Sequence, residues 1–291
     1  KTCKKPIFPI LPSALQAAEE VSHFHSMGHV NFTDEVSFGY VLSRVNRVHQ
    51  PYDDAELPAV DITRIRSVID GAGEGYLSPD QVFQLLDAAG IATVRQETVT
   101  TVEQALKHAA ASGFPLVMKV SGPVHKSDVG GVVVGVNSAE EVELIFRRLM
   151  QIPGADGVLI QQQLTGTEVY IGAKQEDRFG HQVVCGLGGI FIEVFKDVAA
   201  GLAPVGKAEA RSMIRHLRSY PIIRGVRGKA GISEDLLTEA ITRVGALVTA
   251  APEIAEMDIN PLMGNMQSLV AVDARIRVSK AISDSSHPFC R

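Results

Sequence analysis

The sequence has few cysteines, no long apolar run and no excess of positive charge. Its three cysteines, Cys3, Cys185 and Cys290, lie far apart and fit neither a disulfide scaffold nor a zinc site, which favours a reducing, cytoplasmic setting. No apolar run approaches the roughly 18 residues that span a bilayer, so the sequence predicts no membrane-spanning helix. Lys and Arg number 28 against 33 Asp and Glu, and the net charge of −5 argues against a surface built to hold nucleic acid.

Length and composition indicate a globular chain with more than one domain. The 291 residues exceed one domain of typical size. Apolar residues make up 45% and charged residues 21%, which excludes wholesale disorder. The first residue is Lys1, and no signal-type segment follows it, so we expect a chain that begins part-way through a longer gene product.

The first 64 residues carry weaker patterns than the rest. Pro6–Leu11 is typical of a short strand. Near-helical apolar spacing predicts a helix over about 13–28, with Ser13 as its cap, and a second over about 34–48. The residues that follow combine prolines and acids without a clear period. They indicate a linker, with a domain boundary near 50–65.

The remaining residues mix helices with hairpins. Capping-box patterns at Ser78–Gln81 and Thr101–Gln104 begin two helices, and Ser138 with Glu141 begins a third. Strands are predicted near Ile91 and at about 115–120, 132–136, 158–162, 168–174, 182–185, 255–260 and 269–277, with further helices over about 207–217 and 233–251. Because helices and hairpins are mixed, the predicted class is α+β and not a doubly wound parallel sheet.

A polar loop between two strands is the first stretch with residues suited to chemistry. Lys119 lies near the end of one strand, and His125, Lys126 and Asp128 follow in the loop. Lysine suits a phosphate group, and histidine suits proton or phosphoryl transfer near neutral pH. A solvated hairpin loop explains the same pattern, so the residues alone leave both interpretations open.

A glycine cluster, Gly186-Leu187-Gly188-Gly189, lies between strands further along the chain. Its spacing fits neither a dinucleotide fingerprint nor a Walker loop. A tight turn or bulge is one interpretation. Glu193 and Asp197 follow closely, and with them a phosphate-and-metal neighbourhood becomes a reasonable alternative.

The third stretch is a hairpin near the end of the chain. Residues two apart in a strand share a face, so Asp258 and Asn260 point the same way. A loop centred between Met266 and Gln267 would place Asn260 opposite Asp273, and Pro261 would end the ladder because it cannot donate. An amide oxygen and a carboxylate suit Mg²⁺, which takes few protein ligands. An ordinary hairpin with a wet polar face is the alternative.

Together these stretches resemble the ATP-grasp domain of the NDP-forming acyl-CoA synthetases, the family of the ADP-forming acetyl-CoA synthetases. The matching blocks are Phe114–Lys119, His125–Gly131, Gly186–Glu193, Lys196-Asp197, Leu202–Pro204, Gly225–Gly228, Asp258–Leu262 and Val272–Arg275. The resemblance implies an ATP-grasp fold of two α/β lobes over 65–280 and a tail over 281–291. It also implies that 1–50 is the end of a CoA-ligase-like domain, a short strand-helix remnant, joined by a linker over 51–64.

The resemblance further implies the roles of individual residues. Lys119 would contact nucleotide phosphates, and Asn260 and Asp273 match the Mg²⁺ ligands of succinyl-CoA synthetase relatives. His125 matches the second histidine of a phosphohistidine relay, with Lys126 and Asp128 as its catalytic neighbours. The other nucleotide-binding residues would be the adenine-pocket segment Gln161, Gln162, Gln163 and Leu164, together with Glu168, Gly188, Gly189 and Glu193.

The implied reaction is acyl-CoA + ADP + phosphate ⇌ carboxylic acid + CoA + ATP. The CoA-binding domain and the first phosphohistidine are not in this sequence. The resemblance therefore implies a CoA-binding/ligase domain or α subunit as partner, CoA bound largely by that part, and an oligomeric enzyme. Two alternatives stay open: an ATP-grasp carboxylate–amine ligase, and a degenerate grasp module with a regulatory or scaffolding role.

Two residues depart from the family pattern. Gly201 stands where the family usually has arginine, which predicts a missing anion contact. Gln162 stands where an acidic residue is common, which bears on the preference for the nucleotide base.

Overall fold

The structure is a computed structural model that describes residues 7–12, 16–46, 56–122, 130–189, 192, 196–226, 228 and 230–280. The chain divides into two compact units, Lys1–Pro51 and Tyr52–Arg291, and each is treated by itself. In the described residues, no helix is long and apolar enough to cross a membrane. The predicted cap Ser13, the residues 51–55 of the predicted linker and the tail 281–291 lie outside the described residues.

The first unit contains two helices, α1 (Ala18–Ser26) and α2 (Glu35–Asn46), neither of which has a buried residue. The strand predicted over Pro6–Leu11 is wrong within the described 7–12, where a single bridge joins Ile10 to Phe32. Helix α1 also begins later than predicted. Whether this unit is the end of a ligase-type domain stays a prediction.

The second unit is built on two antiparallel sheets, and the larger one forms the large-sheet lobe. Its strands are β1 (Gly75–Tyr76), β6 (Thr167–Glu176), β7 (Gly180–Leu187), β8 (Val198–Leu202), β9 (Ile254–Gly264), β10 (Leu269–Ala271) and β11 (Ala274–Val278). They are ordered β1-β11-β9-β6-β7-β8, and β10 also pairs with β9. Five helices pack on one face: α3 (Ile62–Gly71), α4 (Pro79–Ala88), α7 (Lys207–His216), α8 (Tyr220–Arg224) and α9 (Glu234–Ala250).

The smaller sheet forms the small-sheet lobe. Its strands are β2 (Gln96–Val99), β3 (Leu116–Ser121), β4 (Val132–Val136) and β5 (Gly157–Gln162), in the order β2-β5-β3-β4. Helices α5 (Val102–Ser112) and α6 (Ala139–Leu149) cover one face, where Met118 and Ile160 are fully buried. All pairings in both sheets are antiparallel, so the α+β class is confirmed.

Local side-chain caps explain where the helices begin. Ser78 and Gln81 form the predicted capping box at α4. At α5, Thr101 accepts from the Gln104 N–H, but the Gln104 side chain accepts from the N–H of Thr100, one residue before the cap. Thr101 and Ser138 are therefore N-caps of α5 and α6, since their side chains accept from helix N–H groups that would otherwise have no partner.

Several predicted boundaries are wrong. The strand near Ile91 is replaced by a single bridge at Thr93, and β2 begins only at Gln96. Pro261 does not end the ladder, because β9 continues to Gly264 and the Val272 N–H donates to the Pro261 carbonyl. The strand predicted at 269–277 is divided into β10 and β11. Helix α3 begins at Ile62, inside the predicted linker, with Asp61 as its cap.

Candidate functional site

The open face of the small sheet carries Lys119. Side chains alternate along β3, so Leu116 and Met118 face the helices while Val117 and Lys119 face away from them. Val117 pairs with Gln161 and Lys119 with Leu159, which places Gln161 on the same open face. Lys119 is therefore an amine held on a rigid strand, with its side chain only 13% exposed.

Lys119 meets a carboxylate of the other sheet. Its Nζ lies 3.5 Å from the Oδ2 of Asp273, in the turn between β10 and β11. The backbones of the two lobes join close by, because the Val94 N–H donates to the Ala271 carbonyl at 2.9 Å and the Ala271 N–H donates to the Ala92 carbonyl at 2.8 Å. The candidate site thus lies where the two lobes meet.

Asn260 lies directly across the hairpin from Asp273. The register that pairs Leu262 with Ala271 and Ile259 with Ala274 makes Asn260 and Asp273 opposite neighbours. The backbone N–H of Asn260 donates to the Asp273 carbonyl at 3.0 Å. The predicted register is confirmed, and it brings an amide and a carboxylate together at one end of the large sheet.

The glycine cluster fixes the Asn260 side chain. The N–H of Gly189 donates to the Asn260 Oδ1 at 2.9 Å, and the N–H of Gly188 donates to the Glu168 carbonyl at 2.9 Å. Gly189 has a φ of +59°, and a Cβ there would lie on the carboxylate of Glu168. Only glycine allows this approach without strain. Gly188 and Gly189 thus position Asn260 and Glu168 through their backbone.

The side chains of the segment predicted to line an adenine pocket do not all lie on the same face of the small sheet. Gln161 is buried on the open face with Lys119, and its Oε1 has no hydrogen-bond partner among the described residues. Gln162 is exposed and, by alternation, turns to the opposite face of β5. The Oε1 of Gln163 accepts from the Gly135 N–H at 2.7 Å, and Leu164 is half-buried. Gln161 is the member of this segment whose side chain shares the Lys119 face.

Some predicted site residues lie outside the described residues. They are His125, Lys126 and Asp128 of the polar loop and Glu193 after the glycine cluster. The described strands place both ends of that loop, since Ser121 ends β3 and Val132 begins β4. The loop therefore leaves and re-enters the sheet next to Lys119.

Asp197 serves the fold. Its carboxylate accepts from the N–H groups of Arg218 and Ser219 at 3.1 and 2.7 Å. Burial acts to raise the pKa of Asp197, but hydrogen bonds from Ser219 and Arg218 outweigh it and hold the pKa below its usual range. This carboxylate is committed to a turn, so the phosphate-and-metal interpretation of the sequence is not supported at Asp197.

Gly201 also has a structural explanation. A Cβ at this position would lie 2.9 Å from the Met213 Sδ and 3.3 Å from the Glu209 Oε1, against α7. A side chain at 201 would therefore point into the helix side of the large sheet. The missing anion contact at Gly201 stays a prediction.

The sequence reasoning missed one polar contact beside the site. The hydroxyl of Tyr170 donates to the Asp258 Oδ1 at 2.7 Å, across Gly172, where a Cβ would collide with that hydroxyl. Burial and the hydrogen bond to Asp258 raise the pKa of Tyr170. The shared face of Asp258 and Asn260 was visible in the sequence, but the tyrosine partner depends on strand pairing.

The donor set at this end of the sheet fits a hard cation. Asn260 Oδ1 keeps one lone pair beyond its bond from Gly189, and Asp273 contributes a carboxylate that is 53% exposed. In the described part of the chain there is no group of three or more His, Cys, Asp or Glu that could hold a metal ion. Two oxygen ligands suit Mg²⁺, which fills the rest of its shell with water and phosphate oxygens.

The thiol of Cys185 has no role at this site. It lies in β7 within the core, and burial raises its pKa to about 12. A thiol in this state is protonated at neutral pH and unreactive.

Comparison with known proteins gives consistent matches. The ATP-grasp domain family matches residues 69–278. The chain is 40% identical over 203 residues to the beta subunit of ADP-forming acetate–CoA ligase I of Pyrococcus furiosus, covering 66% of this chain and 88% of that subunit. It is 43% identical over 202 residues to ADP-forming acetate–CoA ligase II of Archaeoglobus fulgidus, covering 67% of this chain but 29% of that longer one.

Solved structures show the same similarity. Acetyl-coenzyme A synthetase 1 of Ca. Korarchaeum cryptofilum, in complex with coenzyme A, Ca-AMPCP and HgCl⁺, has a TM-score of 0.69 at 33% identity, covering 74% of this chain and 99% of that one. A second structure of that enzyme holds coenzyme A and Mg-AMPPCP, with a phosphohistidine segment pointing towards the nucleotide-binding site. It has a TM-score of 0.65 at 32% identity, covering 74% of this chain and all of that one, at 100%.

Proposed function

Because the chain belongs to the ATP-grasp family of ADP-forming acyl-CoA synthetases, we propose that it binds ADP or ATP between its two sheets and transfers a phosphoryl group through His125. The overall reaction is acyl-CoA + ADP + phosphate ⇌ carboxylic acid + CoA + ATP. The chain is the nucleotide-binding part of this acid–thiol ligase.

The observation that carries the proposal is the meeting of Lys119 with Asp273 beside Asn260. Two sheets contribute a cation and an oxygen-ligand pair to one place, with the Lys119 Nζ 3.5 Å from the Asp273 Oδ2. Phosphoryl transfer depends on positioning and on charge neutralisation more than on strong acid–base groups. Residues fixed on strands and by the Gly189 backbone provide that positioning.

Each described residue has a distinct task in this proposal. Lys119 donates to phosphate oxygens as a point charge. Asn260 and Asp273 hold Mg²⁺, which when bound neutralises phosphate charge. Gln161 faces the nucleotide with an amide oxygen that has no partner in the described part of the chain. Gly189 keeps the Asn260 amide in its orientation.

His125 would receive the transferred group, with Lys126 and Asp128 beside it. In the direction of ATP use, a bond forms between an imidazole nitrogen and the γ-phosphorus. The bond from that phosphorus to the bridging oxygen breaks, and ADP leaves. The loop that carries His125 joins the end of β3 to the start of β4, and both of these positions lie close to Lys119.

For the complete reaction we propose a CoA-binding/ligase domain or an α subunit as partner. Beta-subunit relatives that align over most of their length support a separate partner part. We also propose an oligomeric enzyme and, on cysteine usage alone, a cytoplasmic location.

Nucleotide binding by the Lys119→Met variant tests the proposal. Calorimetric titration with ADP in the presence of Mg²⁺ should show at least tenfold weaker binding than the wild type, since the phosphates lose their lysine. The matched control is Lys174→Met, which removes an exposed lysine from β6. Equal affinity in the wild type and both variants would contradict this site.

A further inference from the structure

Lys119 and Asp273, which are assigned to ligands of opposite charge, form an ion pair with each other. In the proposed function, Lys119 binds phosphate and Asp273 binds Mg²⁺. The amine of Lys119 lies 3.5 Å from the carboxylate of Asp273. The Lys119 amine and the Asp273 carboxylate are therefore close enough to neutralise each other.

The local structure holds this pair in place. Asp273 is two residues from Ala271, whose backbone N–H and carbonyl are both hydrogen-bonded to the segment that leads into β2. Asp273 is also fixed from the other side, because its carbonyl accepts the Asn260 N–H at 3.0 Å. Lys119 is on β3, paired on both sides. The pair therefore depends on fixed backbones more than on a chance meeting of flexible side chains.

Burial explains why the pair forms. The Lys119 side chain is 13% exposed, and a lysine whose side chain is largely buried favours an opposite charge beside its amine. Asp273 is 53% exposed and can exchange its partner for solvent or a cation at less cost. A phosphate group bound to Lys119 would break the pair and leave Asp273 free to bind a cation. A cation bound to Asp273 would in turn leave Lys119 free to bind phosphate.

We propose that the Lys119–Asp273 pair is a placeholder that couples nucleotide binding to metal binding. In the absence of nucleotide, Lys119 competes with the metal for Asp273, so the metal alone binds weakly. Nucleotide removes this competition, in addition to any direct contact between metal and phosphate. This inference rests on the proposed function, because it takes Asp273 as a metal ligand.

Mn²⁺ binding to the nucleotide-free chain tests the placeholder. Mn²⁺ substitutes for Mg²⁺ at oxygen ligands, and its free fraction is measured by electron paramagnetic resonance. Lys119→Met should bind Mn²⁺ roughly two- to fivefold more tightly than the wild type, the range that a partly exposed ion pair supports. The gain should be absent in Lys119→Met/Asp273→Asn and in Lys119→Arg.

Arg275→Gln is the matched control, because it removes a positive charge from β11, two residues from Asp273. Equal gains in Arg275→Gln and Lys119→Met would overturn the placeholder in favour of a general charge effect. Unchanged Mn²⁺ affinity in Lys119→Met would overturn it as well. If Asp273→Asn leaves Mn²⁺ binding unchanged both in the wild type and in Lys119→Met, Asp273 is not a metal ligand and the placeholder proposal fails with that assignment. The ADP titration of Lys119→Met described above still tests the nucleotide site separately.

Discussion

The backbone N–H of Gly189 donates to the amide oxygen of Asn260 at 2.9 Å, so the glycine cluster orients a side chain of a different strand. The same glycine has a φ of +59° and leaves the volume that the Glu168 carboxylate fills. The left-handed backbone and the close approach of Glu168 both favour a residue without a side chain. The cluster is therefore part of the site through its backbone.

Gly189→Ala should weaken Mg²⁺-dependent ADP binding at least tenfold, because a Cβ would displace Glu168 and shift the N–H that holds Asn260. The matched control is Gly180→Ala, where φ is +79° but no atom of the described residues lies within 4 Å of an added Cβ. Both variants carry the cost of a left-handed alanine, about 1 kcal/mol. Titration with ADP should separate them, and equal affinities would contradict the role of Gly189.

Asn260→Ala and Asp273→Ala should remove most of the effect of Mg²⁺ on ADP affinity. Each loses an oxygen ligand of the proposed cation. The measurement compares titrations with Mg²⁺ and with a chelator. Asp177→Ala, an exposed carboxylate in the β6–β7 turn, should retain the wild-type Mg²⁺ dependence. A full Mg²⁺ effect in both site variants would disprove the metal assignment.

Tyr170→Phe should lower the free energy of unfolding by about 1–2 kcal/mol, because Asp258 loses a charge-assisted hydrogen bond in a partly buried place. Urea denaturation followed by circular dichroism measures the change. Tyr76→Phe alters an exposed tyrosine of the same sheet and should change stability by less than about 0.5 kcal/mol. Indistinguishable stabilities of the two variants would show that the contact contributes nothing.

The pair of Arg66 with Glu253 predicts a pH dependence of stability. Arg66 donates to both Glu253 oxygens at 2.8 Å, and this hydrogen bonding holds the pKa of Glu253 below its usual value although burial opposes it. A lowered folded-state pKa contributes stability that is complete above the ordinary pKa of about 4.3 and is lost as the pH falls through the folded value.

Glu253→Gln should therefore cost about 1 kcal/mol at pH 7 and progressively less below pH about 4. Urea denaturation of the wild type and the variant over this pH range gives the difference. Glu143→Gln, which removes an exposed partner of Arg147 on α6, should show a much smaller difference at every pH. A Glu253→Gln cost that does not change with pH would rule out the lowered pKa.

Much of the fold and part of the site followed from local patterns. The Asn260–Asp273 register could be predicted because hairpin pairing depends on the period of two and on where the loop is centred. The strand β8 escaped prediction, since Ala199, Ala200 and Gly201 have little strand preference and pair only because β7 lies beside them. Lys119 and Asp273 belong to different sheets, and no local pattern relates them.

Phosphoryl transfer to His125 is the central step of the proposed function, and one measurement tests it. The chain is incubated with Mg²⁺ and γ-labelled ATP, and the protein is assayed for label that is acid-labile and base-stable. We expect such label in the wild type and in the control His216→Ala, an exposed histidine of α7, and none in His125→Ala. Label that persists in His125→Ala would contradict phosphoryl transfer to His125. The same conclusion would follow if wild-type protein that binds the nucleotide carried no label.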